Sequence, residues 1–359
     1  MGVGETLRVM QVMAGAKHGG AEGFFKRLVC ALAEEPSVTQ HVVTRPHTDL
    51  LEAFEAYGVG VTTAPFSGFF DLGTRCLLKT QIAQFQPDIV LTWMSRASQL
   101  CPSGDFTYVA RLGGYYDLKY YQKADVLVGN TQDIVSYFHE KGWQEPYTAY
   151  LPNFAAAPVP TPPMSRAQFE TPEGAPLLLT LGRLHQDKAF DVLIRALKDV
   201  PGAYLWIGGE GEEAAALKAL AKSQGVEARV RFIGWQQDVS ALFGACDVYV
   251  CPSRIEPLGN VILESWIHKR PVVAAASKGA VGLITPGHDG LIAPLEDAPS
   301  LAAHLQDLIQ HKDKAAAMAV AGYQTYQEHF SKQAVVAQYL AFFERVKDLR
   351  RPHKKRRFF

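Results

Sequence analysis

Two glutamates with seven residues between them flank a turn in the segment RIEPLGNVILE, residues 254–264. Glu256 precedes a Pro-Leu-Gly turn, and Glu264 lies in the first turns of the apolar run that follows. The backbone N–H groups at the start of such a helix lack intrahelical partners and, with the helix dipole, form a partly positive site that suits a phosphate. A nucleotide sugar would offer its diphosphate to this site and hydroxyls to the two carboxylates. The segment therefore predicts a donor site, with contacts from Leu258, Gly259, Asn260 and Val261.

A second group of chemically suitable residues follows a strand predicted at 177–181. The loop after it reads GRLHQDK and carries two cations, Arg183 and Lys188, before a helix predicted at 190–197. Loops at the carboxyl ends of parallel strands are where open α/β sheets bind ligands, and paired cations suit a diphosphate. On this pattern alone, solvated loop charges are an equally good interpretation.

Together these features resemble the retaining glycosyltransferases of the GT-B fold, family 4. The resemblance rests on the paired glutamates and the Pro-x-Gly-Asn context between them, on the Gly-Arg-Leu…Lys pattern of 182–188, and on KRPVV at 269–273. It implies an α/β fold with two Rossmann-like parallel-sheet domains facing a cleft. It also implies transfer of a sugar from a nucleotide-sugar donor to a glycan or glycolipid acceptor, with retention of anomeric configuration.

The resemblance also implies roles for individual residues. Arg183 and Lys188 would hold the donor diphosphate, Glu256 the hydroxyls of the donor sugar, and Glu264 the ribose. Arg183, Lys188 and Glu256 are accordingly the predicted catalytic residues. The sequence has no Asp-x-Asp pair, which metal-dependent glycosyltransferases of the other main fold use to hold a divalent ion. We therefore expect neither a metal nor a cofactor, because cations and helix dipoles can replace the ion.

Two glycine-rich turns are predicted to lie near the donor. In the sequence HGGAE, Gly19 and Gly20 permit close approach of the backbone to a ligand. The segment GGEGEEA at 208–214 has the shape of a dinucleotide fingerprint, but the next strand ends FIGW without the acid that a dehydrogenase needs. It better resembles the family's Gly-x-Gly turn, which makes Gly209 a donor contact. Trp235 would border the base, although a buried tryptophan is an equally good interpretation.

The acceptor side is less specific. Arg96, Arg111 and Asp117 follow or end predicted strands and would bind an anionic or polyhydroxylated acceptor. A structural ion pair or a solvated loop position is an equally good interpretation for each of them. The segment LTWMSRA at 91–97 lacks the histidine that many family members carry there, so no catalytic base is assigned. Asn153 resembles the Pro-Asn turn of the family.

Composition limits the functional class. Lys plus Arg and Asp plus Glu both number 36, so the net charge argues against a nucleic-acid partner. The five cysteines have neither metal-ligand spacing nor the pattern of a small secreted framework, which favours reduced thiols. No run approaches the roughly 20 apolar residues that span a bilayer. We expect a cytoplasmic enzyme, peripheral on the inner face of the plasma membrane, in bacterial envelope polysaccharide or lipopolysaccharide core synthesis.

Strand-like and helical patterns alternate in both halves, which predicts parallel sheets with right-handed crossovers. The resemblance implies that a terminal helix crosses back onto the N-terminal domain. Strands are predicted at 7–13, 41–44, 88–92, 107–110, 126–129 and 148–150, then at 177–181, 203–207, 230–233, 248–251 and 272–275. The predicted parts are an acceptor-side domain at 1–157, a proline-rich linker at 158–176, a nucleotide-sugar domain at 177–330, the terminal helix at 331–349 and a basic tail at 350–359.

The tail RRPHKKRRFF carries six Lys and Arg residues and two terminal aromatic residues. Such a segment suits an anionic membrane surface, and a disordered solubilising end is the alternative. Two other functions stay open for the whole chain. A GT-B-fold nucleotide-sugar epimerase would convert the donor without an acceptor, and a catalytically silent sugar- or lipid-binding scaffold would bind without turnover.

Overall fold

The structure, a computed structural model, describes residues 6–16, 19–68, 71–155, 158, 160–236 and 239–352. The chain divides into two compact units. Unit 1 comprises Met1–Phe154 together with Lys332–Phe359, and unit 2 comprises Ala155–Ser331. The segment predicted as a linker falls in unit 2, where the Met164 backbone N–H donates to the Ala241 carbonyl at 2.9 Å.

Both units contain a parallel sheet whose central strands are buried on both faces, as expected when helices cover both sides. The strands of unit 1 are β1 Leu7–Met13, β2 Val38–Thr44, β3 Gly60–Thr63, β4 Ile89–Trp93, β5 Thr107–Leu112, β6 Val126–Gly129 and β7 Thr148–Tyr150. The strands of unit 2 are β8 Leu177–Leu181, β9 Tyr204–Gly208, β10 Val230–Gly234, β11 Val248–Cys251, β12 Val272–Ala275 and β13 Leu291–Ala293. In the described residues the sheet orders are β3-β2-β1-β4-β5-β6-β7 and β10-β9-β8-β11-β12-β13, with parallel pairing throughout.

The helices cover these sheets. They are α1 Gly20–Ala33, α2 Thr48–Ala56, α3 Leu72–Phe85, α4 Met94–Leu100, α5 Gln132–Glu140, α6 Phe190–Leu197, α7 Ala214–Ser223, α8 Ser240–Ala245, α9 Asn260–Ile267, α10 Lys278–Leu283, α11 Ala298–Gln310, α12 Lys312–Thr325 and α13 Lys332–Val346. Short 3-10 turns lie at Leu118–Tyr121, Arg166–Phe169, Gln186–Lys188 and Glu227–Arg229, and a π-helical turn at Tyr326–Phe330. Within the described residues, no helix combines the length and apolar character needed to cross a bilayer.

The terminal helix α13 is part of the unit 1 core. Its apolar residues recur at helical spacing, and Tyr339 and Phe343 join Phe24 of α1 and Trp93 of β4 in one buried cluster. Thr107, at the start of β5, donates its hydroxyl to the Val346 carbonyl at 2.7 Å. The end of this helix is therefore fixed to the amino edge of the unit 1 sheet.

In each sheet the order in which successive strands are added reverses at one place. In unit 1 the strands β1 and β4 are neighbours although β2 and β3 intervene in sequence, and β8 and β11 are related in the same way in unit 2. Crevices outside the carboxyl ends of strands at such switch points are where doubly wound sheets bind ligands. The loops that follow β8 and β11 contain the predicted residues Arg183, Lys188 and Glu256.

The predicted fold class, two Rossmann-like parallel α/β domains, is confirmed. The sequence-based strands agree with the structure to within a few residues, except that two strands were missed. These are β3 and β13, of four and three residues, which lie at the edges of their sheets. Such short segments show too little alternation to be recognised from hydrophobic pattern.

Candidate active site

The loops after β8 and β11 bring two predicted catalytic residues together in unit 2. The Lys188 Nζ lies 2.6 Å from the Glu256 Oε2. The other carboxylate oxygen of Glu256 accepts a hydrogen bond of 3.3 Å from the Gly259 backbone N–H. Because only 8% of Glu256 is exposed, this carboxylate is held in a fixed position between the lysine and the start of α9.

The start of α9 is shaped by close backbone packing. Gly259 occupies the N-cap with a φ of 70°, a left-handed conformation that favours glycine. A Cβ at this position would lie 2.6 Å from the Leu283 Cδ1. The Gly279 N–H donates to the Glu256 carbonyl at 2.7 Å, and a Cβ on Gly279 would lie only 2.3 Å from that oxygen. The turn that carries Glu256 therefore packs directly on the first turn of α10.

The remaining donor residues predicted on this helix are in its first turns. Leu258 lies two residues before α9 and is partly buried, as are Asn260 and Val261 at the first two positions of the helix. Glu264 is also partly buried and lies one turn further along the helix. The start of α9 and the carboxylates of Glu256 and Glu264 thus belong to one short segment.

Arg183 has a different environment from Lys188. Its side chain is 65% exposed, and its Nη2 lies 2.8 Å from the Glu212 Oε1. The same carboxylate oxygen lies 3.6 Å from the His185 Nε2. Hydrogen bonds from its own backbone N–H and from Arg183 hold the pKa of the Glu212 carboxyl below its usual value. Arg183 is therefore an exposed cation with an exposed partner, which a ligand phosphate can replace.

A cavity of about 400 Å³ opens beside this loop and is lined by both Gly209 and Trp235. Trp235 is 66% exposed, so the alternative that it is a buried core residue is wrong. Gly209 has a φ of 139°, and a Cβ there would lie 1.9 Å from the Gly182 carbonyl oxygen. Glycine is thus required where the loops after β8 and β9 touch through their backbones. Gly182 and Arg183 also line this cavity.

The sequence analysis assigned no role to Arg254, which lies two residues before Glu256. Its Nη1 and Nη2 each lie 2.9 Å from an Asp191 carboxylate oxygen, and Nη1 also donates to the Gln186 carbonyl at 2.6 Å. Nη2 donates to the Glu296 Oε2 at 2.9 Å. The backbone N–H of Ile255 donates to the Asp187 carbonyl at 3.2 Å. Arg254 therefore joins the loop that carries Lys188 to the loop that carries Glu256.

The charges around Arg254 reinforce one another. Burial acts to raise the pKa of the Asp191 carboxyl, but hydrogen bonds from Arg254 and Arg195 outweigh it and hold that pKa below its usual value. Hydrogen bonds to Asp191 and Glu296 raise the pKa of Arg254 in turn. Both partners stay ionised at neutral pH. The one signal in the sequence is an arginine two residues before Glu256.

Gly19 and Gly20, the predicted donor contacts of unit 1, lie at the start of α1. A Cβ on Gly19 would lie 2.1 Å from the Glu22 Oε2, whereas a Cβ on Gly20 would meet open space. The Glu22 Oε1 accepts a hydrogen bond of 2.9 Å from the Ala16 backbone N–H, and Glu22 is 8% exposed. Gly19 thus makes room for a buried carboxylate that orders its own loop. His18 lies outside the described residues.

The three predicted acceptor residues do not form a cluster. Among the described residues, no hydrogen bond or ion pair joins any two of Arg96, Arg111 and Asp117. Arg96 binds the Ser67 and Gly68 carbonyls. Asp117 is exposed, caps the 3-10 turn that follows it, and lies 2.6 Å from its neighbouring lysine ammonium.

The environment of Arg111 fits a structural role, which was the alternative to acceptor binding. It is 3% exposed, and its Nε donates to the Tyr339 hydroxyl at 2.8 Å. Its Nη2 donates to the Asn153 Oδ1 at 2.5 Å. The guanidinium also lies 4.7 Å from the Phe24 ring centroid and 4.6 Å from that of Trp93. Arg111 therefore links β5, α13 and the Pro-Asn turn inside unit 1, and nothing in this geometry presents it to a ligand.

Two further predictions concern metal ligands and cysteine thiols. In the part of the chain that the structure describes, no group of three or more His, Cys, Asp and Glu residues is placed to hold a metal ion. Burial raises the pKa of the Cys246 thiol to about 12 and that of Cys251 to about 11, so both stay protonated in the core.

The basic tail is only partly described. Arg351 stacks 3.5 Å from the centroid of the Trp143 ring, and its backbone N–H donates to the Asp125 Oδ1 at 3.0 Å. The Arg350 guanidinium lies 3.8 Å from the Asp105 carboxylate. These two cations have partners within unit 1, which reduces their availability for lipid. The other residues predicted to bind lipid lie outside the described residues and are Lys354, Lys355, Arg356, Arg357, Phe358 and Phe359.

Comparison with known proteins identifies the family. Residues 163–325 match the family model described as glycosyl transferases group 1. The chain is 36% identical to the lipopolysaccharide core biosynthesis glycosyltransferase LpsE of Rhizobium meliloti, over 90% of the chain and 95% of LpsE. It is 34% identical to LpsD of the same organism, over 94% of the chain and 98% of LpsD.

Solved structures of the same fold have lower sequence identity. A glycosyltransferase from Rickettsia africae superposes with a TM-score of 0.82 at 18% identity, over 96% of this chain and 99% of its own. Anabaena HepE, solved in complex with UDP and glucose, superposes with a TM-score of 0.74 at 19% identity, over 95% of this chain and all of its own. The chain belongs to the glycosyl transferases group 1 family and is a glycosyltransferase of the GT-B fold.

Proposed function

We propose that this glycosyltransferase moves a sugar from a nucleotide diphosphate sugar to a lipopolysaccharide core acceptor, with retention of configuration, as in family 4. The observation that carries the donor half of the proposal is the Lys188–Glu256 pair, 2.6 Å apart at the start of α9. An ammonium, a buried carboxylate and unpaired helix N–H groups together offer a diphosphate and a sugar the contacts that each requires.

The acceptor half of the proposal comes from the relatives. LpsE and LpsD are both named lipopolysaccharide core biosynthesis glycosyltransferases, and the similarity to each runs through at least 90% of this chain. A match of that extent includes the residues of unit 1 as well as those of unit 2.

In the proposed reaction, the bond between the anomeric carbon and the leaving phosphate oxygen breaks while the acceptor oxygen bonds to the same carbon. The departing diphosphate gains negative charge, and preorganised cations and N–H donors stabilise such charge more than they stabilise the bound donor. Lys188 and the start of α9 would supply this stabilisation. Arg183 would leave Glu212 to join them.

In the proposed single displacement with retention, the acceptor approaches on the face of the sugar from which the phosphate leaves. The departing phosphate oxygen is then close enough to take the proton of the acceptor hydroxyl, so no separate protein base is needed. Glu256 would bind the hydroxyls of the donor sugar, and Glu264 the ribose hydroxyls. No divalent ion takes part in this proposal.

The test is a mass-spectrometric screen of purified protein against several nucleotide sugars with deacylated core oligosaccharides as acceptors. We expect a glycosylated acceptor whose new linkage has the anomeric configuration of the donor by NMR, and activity that persists in excess EDTA. Loss of activity that manganese restores, or an inverted product, would contradict the proposed mechanism. Conversion of the donor without an acceptor would indicate an epimerase, and binding without turnover a silent scaffold.

A further inference from the structure

A cavity in unit 2 lies at the amino edge of its sheet, away from the loops of the proposed donor site. It has a volume of about 500 Å³ and is bordered by the residues that precede or begin β8, β11 and β12. The donor loops leave the opposite ends of these strands. At about 3.3 Å per residue, the five residues of β8 separate the two edges by roughly 17 Å. A ligand in this cavity would not touch the donor loops.

The cavity carries an excess of positive charge in a chain whose net charge is zero. Four cationic residues and two anionic ones line it, which leaves an excess of two positive charges. The residues are Arg166, Lys269, Arg270 and Lys312 against Glu173 and Asp247. A charge of one sign that lines a concave site raises the local concentration of ions of opposite sign.

One of these cations is already committed to the protein. The Arg166 Nη2 lies 3.1 Å from the Asp247 Oδ2, and its Nη1 donates to the Glu173 and Ala175 carbonyls. The other three have no carboxylate within 4 Å among the described residues. Lys312 is exposed, and the Lys269 ammonium lies over the Tyr323 ring, 4.5 Å from its centroid. The charges free to bind are therefore Lys269, Arg270 and Lys312.

Arg270 is oriented but incompletely hydrogen-bonded. Its Nη2 donates to the Gly244 carbonyl at 2.9 Å, whereas its buried Nε–H has no acceptor among the described residues. A buried donor without a partner is rare in native proteins. Its positive charge is not neutralised by any described neighbour.

Lys269 occupies a position that favours glycine. Its φ is 53°, where it closes α9 with a hydrogen bond of 2.9 Å from its N–H to the Trp266 carbonyl. Side chains other than glycine are disfavoured at this point of a helix terminus. A lysine is present there despite the strain, and it is one of the residues that line the cavity.

We propose that this cavity binds a phosphomonoester, of which a hexose phosphate is the fitting size. Such a group carries a charge of about −1.5 to −2 at neutral pH, which matches the excess of two positive charges. Lysine ammonium and arginine guanidinium groups are the usual partners of phosphate oxygens. Leu308 and the alanines of α12 form an apolar wall for the remainder of the ligand.

The probes are glucose 6-phosphate, inorganic phosphate and glucose, titrated into the full-length protein by calorimetry. Glucose 6-phosphate should bind with saturation and more weakly at high salt, inorganic phosphate should bind more weakly, and glucose should not bind. Lys269→Gly and Lys312→Ala should each weaken glucose 6-phosphate binding about tenfold, because each removes a charge-assisted contact. Lys222→Ala, an exposed lysine of α7, should leave it unchanged.

Lys269→Gly also separates binding from folding. Because glycine suits its backbone conformation, this variant should melt at or above the temperature of the unsubstituted protein while losing affinity for the probe. Arg183→Ala provides the opposite control, since it should weaken nucleotide binding and leave the probe unaffected. Unchanged affinity in both lysine variants, loss of probe binding in Arg183→Ala, or no saturation by about 10 mM would each overturn the proposal.

Discussion

The two units have the same switch-point topology but use charge differently at the carboxyl ends of their strands. In unit 2 the loops after β8 and β11 present an ammonium and a carboxylate to each other, with Lys188 and Glu256 2.6 Å apart. The nearby Arg183 is 65% exposed and is paired only with an exposed glutamate. An anionic ligand can therefore take over Arg183 without breaking a buried contact, whereas Lys188 is held by the buried Glu256.

In unit 1 the corresponding charges are directed into the protein. Glu22 binds the N–H of Ala16 and is 8% exposed, and Arg111 is 3% exposed between β5 and α13. Removing either from its partner would leave a buried polar group without a hydrogen bond, which is costly. Unit 2 thus has charged groups at its loop ends that suit the proposed anionic donor, whereas Glu22 and Arg111 in the described part of unit 1 bind other parts of the same unit.

The largest expected effect is on Lys188. We expect Lys188→Met to lower kcat by about 100-fold or more, because it removes a cation that stabilises the departing diphosphate. Lys198→Met, an exposed lysine at the end of α6, should leave kcat unchanged. Steady-state kinetics with the donor and acceptor found in the screen measures both. The equivalent change in unit 1, Glu22→Gln, should cost far less, and a comparable loss there would break the contrast between the units.

The next effect concerns the interior of unit 1. We expect Arg111→Met to lower the free energy of unfolding by about 3 kcal/mol, because the Tyr339 hydroxyl and the Asn153 amide lose a charged, buried partner. Thermal and denaturant unfolding measure it, with the exposed Arg75→Met as control. If Arg111→Met instead raises the KM for the acceptor and leaves stability unchanged, Arg111 is a ligand residue and the contrast fails.

A smaller effect is expected at the arginine that joins the two donor loops. Arg254→Gln should lower stability by about 2 kcal/mol and weaken nucleotide binding, because Asp191 is left partly buried without its bidentate partner. Arg195→Gln, which removes only the exposed partner of Asp191, should cost about 0.3–0.5 kcal/mol. Equal losses in the two variants would show that the link between the loops has no special role.

The same carboxylate predicts a dependence on pH. Since the folded-state pKa of Asp191 lies below its usual value, its ionisation stabilises the protein above the unfolded pKa of about 3.9, and this contribution falls as pH drops through the folded pKa. Asp191→Asn should therefore be less stable than the unsubstituted protein at pH 7 by about 1 kcal/mol, with the difference shrinking below about pH 4. A difference that stays constant from pH 7 to pH 3 would contradict this assignment.

How far the site could be predicted depends on where its partners lie in the sequence. The turn with Glu256 and Gly259 and the loop with Lys188 are short segments at strand ends. Their residues could therefore be proposed as site residues from sequence spacing alone. The role of Arg254 was not visible, because its partners Asp191, Gln186 and Glu296 are 63, 68 and 42 residues away. Only the fold brings such partners together.

Burial limited the prediction in unit 1 for another reason. Every residue of β5 is buried, so alternation of polar and apolar residues could not show which way Arg111 points. Glycines raised a related ambiguity. Gly209 was predicted to approach a ligand, and the structure shows a close approach to the Gly182 carbonyl. A position that requires glycine indicates that other atoms lie close to its Cα. Sequence alone does not show whether those atoms belong to a ligand or to the protein backbone.

The smallest effect is expected for the basic residues at the end of the chain, two of which have partners in unit 1. Truncation after Pro352 removes Lys354, Lys355, Arg356 and Arg357. It should reduce co-sedimentation with anionic vesicles, because each cation contributes at most about 1 kcal/mol to the free energy of membrane binding. Salt should weaken the remaining binding. Nucleotide binding should be unchanged. Truncation after Leu349 should lower the melting temperature as well, because it removes the contacts of Arg351 with Trp143 and Asp125, but it should not reduce vesicle binding further. A further loss of vesicle binding would show that Arg350 and Arg351 face lipid rather than unit 1, and equal sedimentation of all three proteins would place any membrane contact outside the tail.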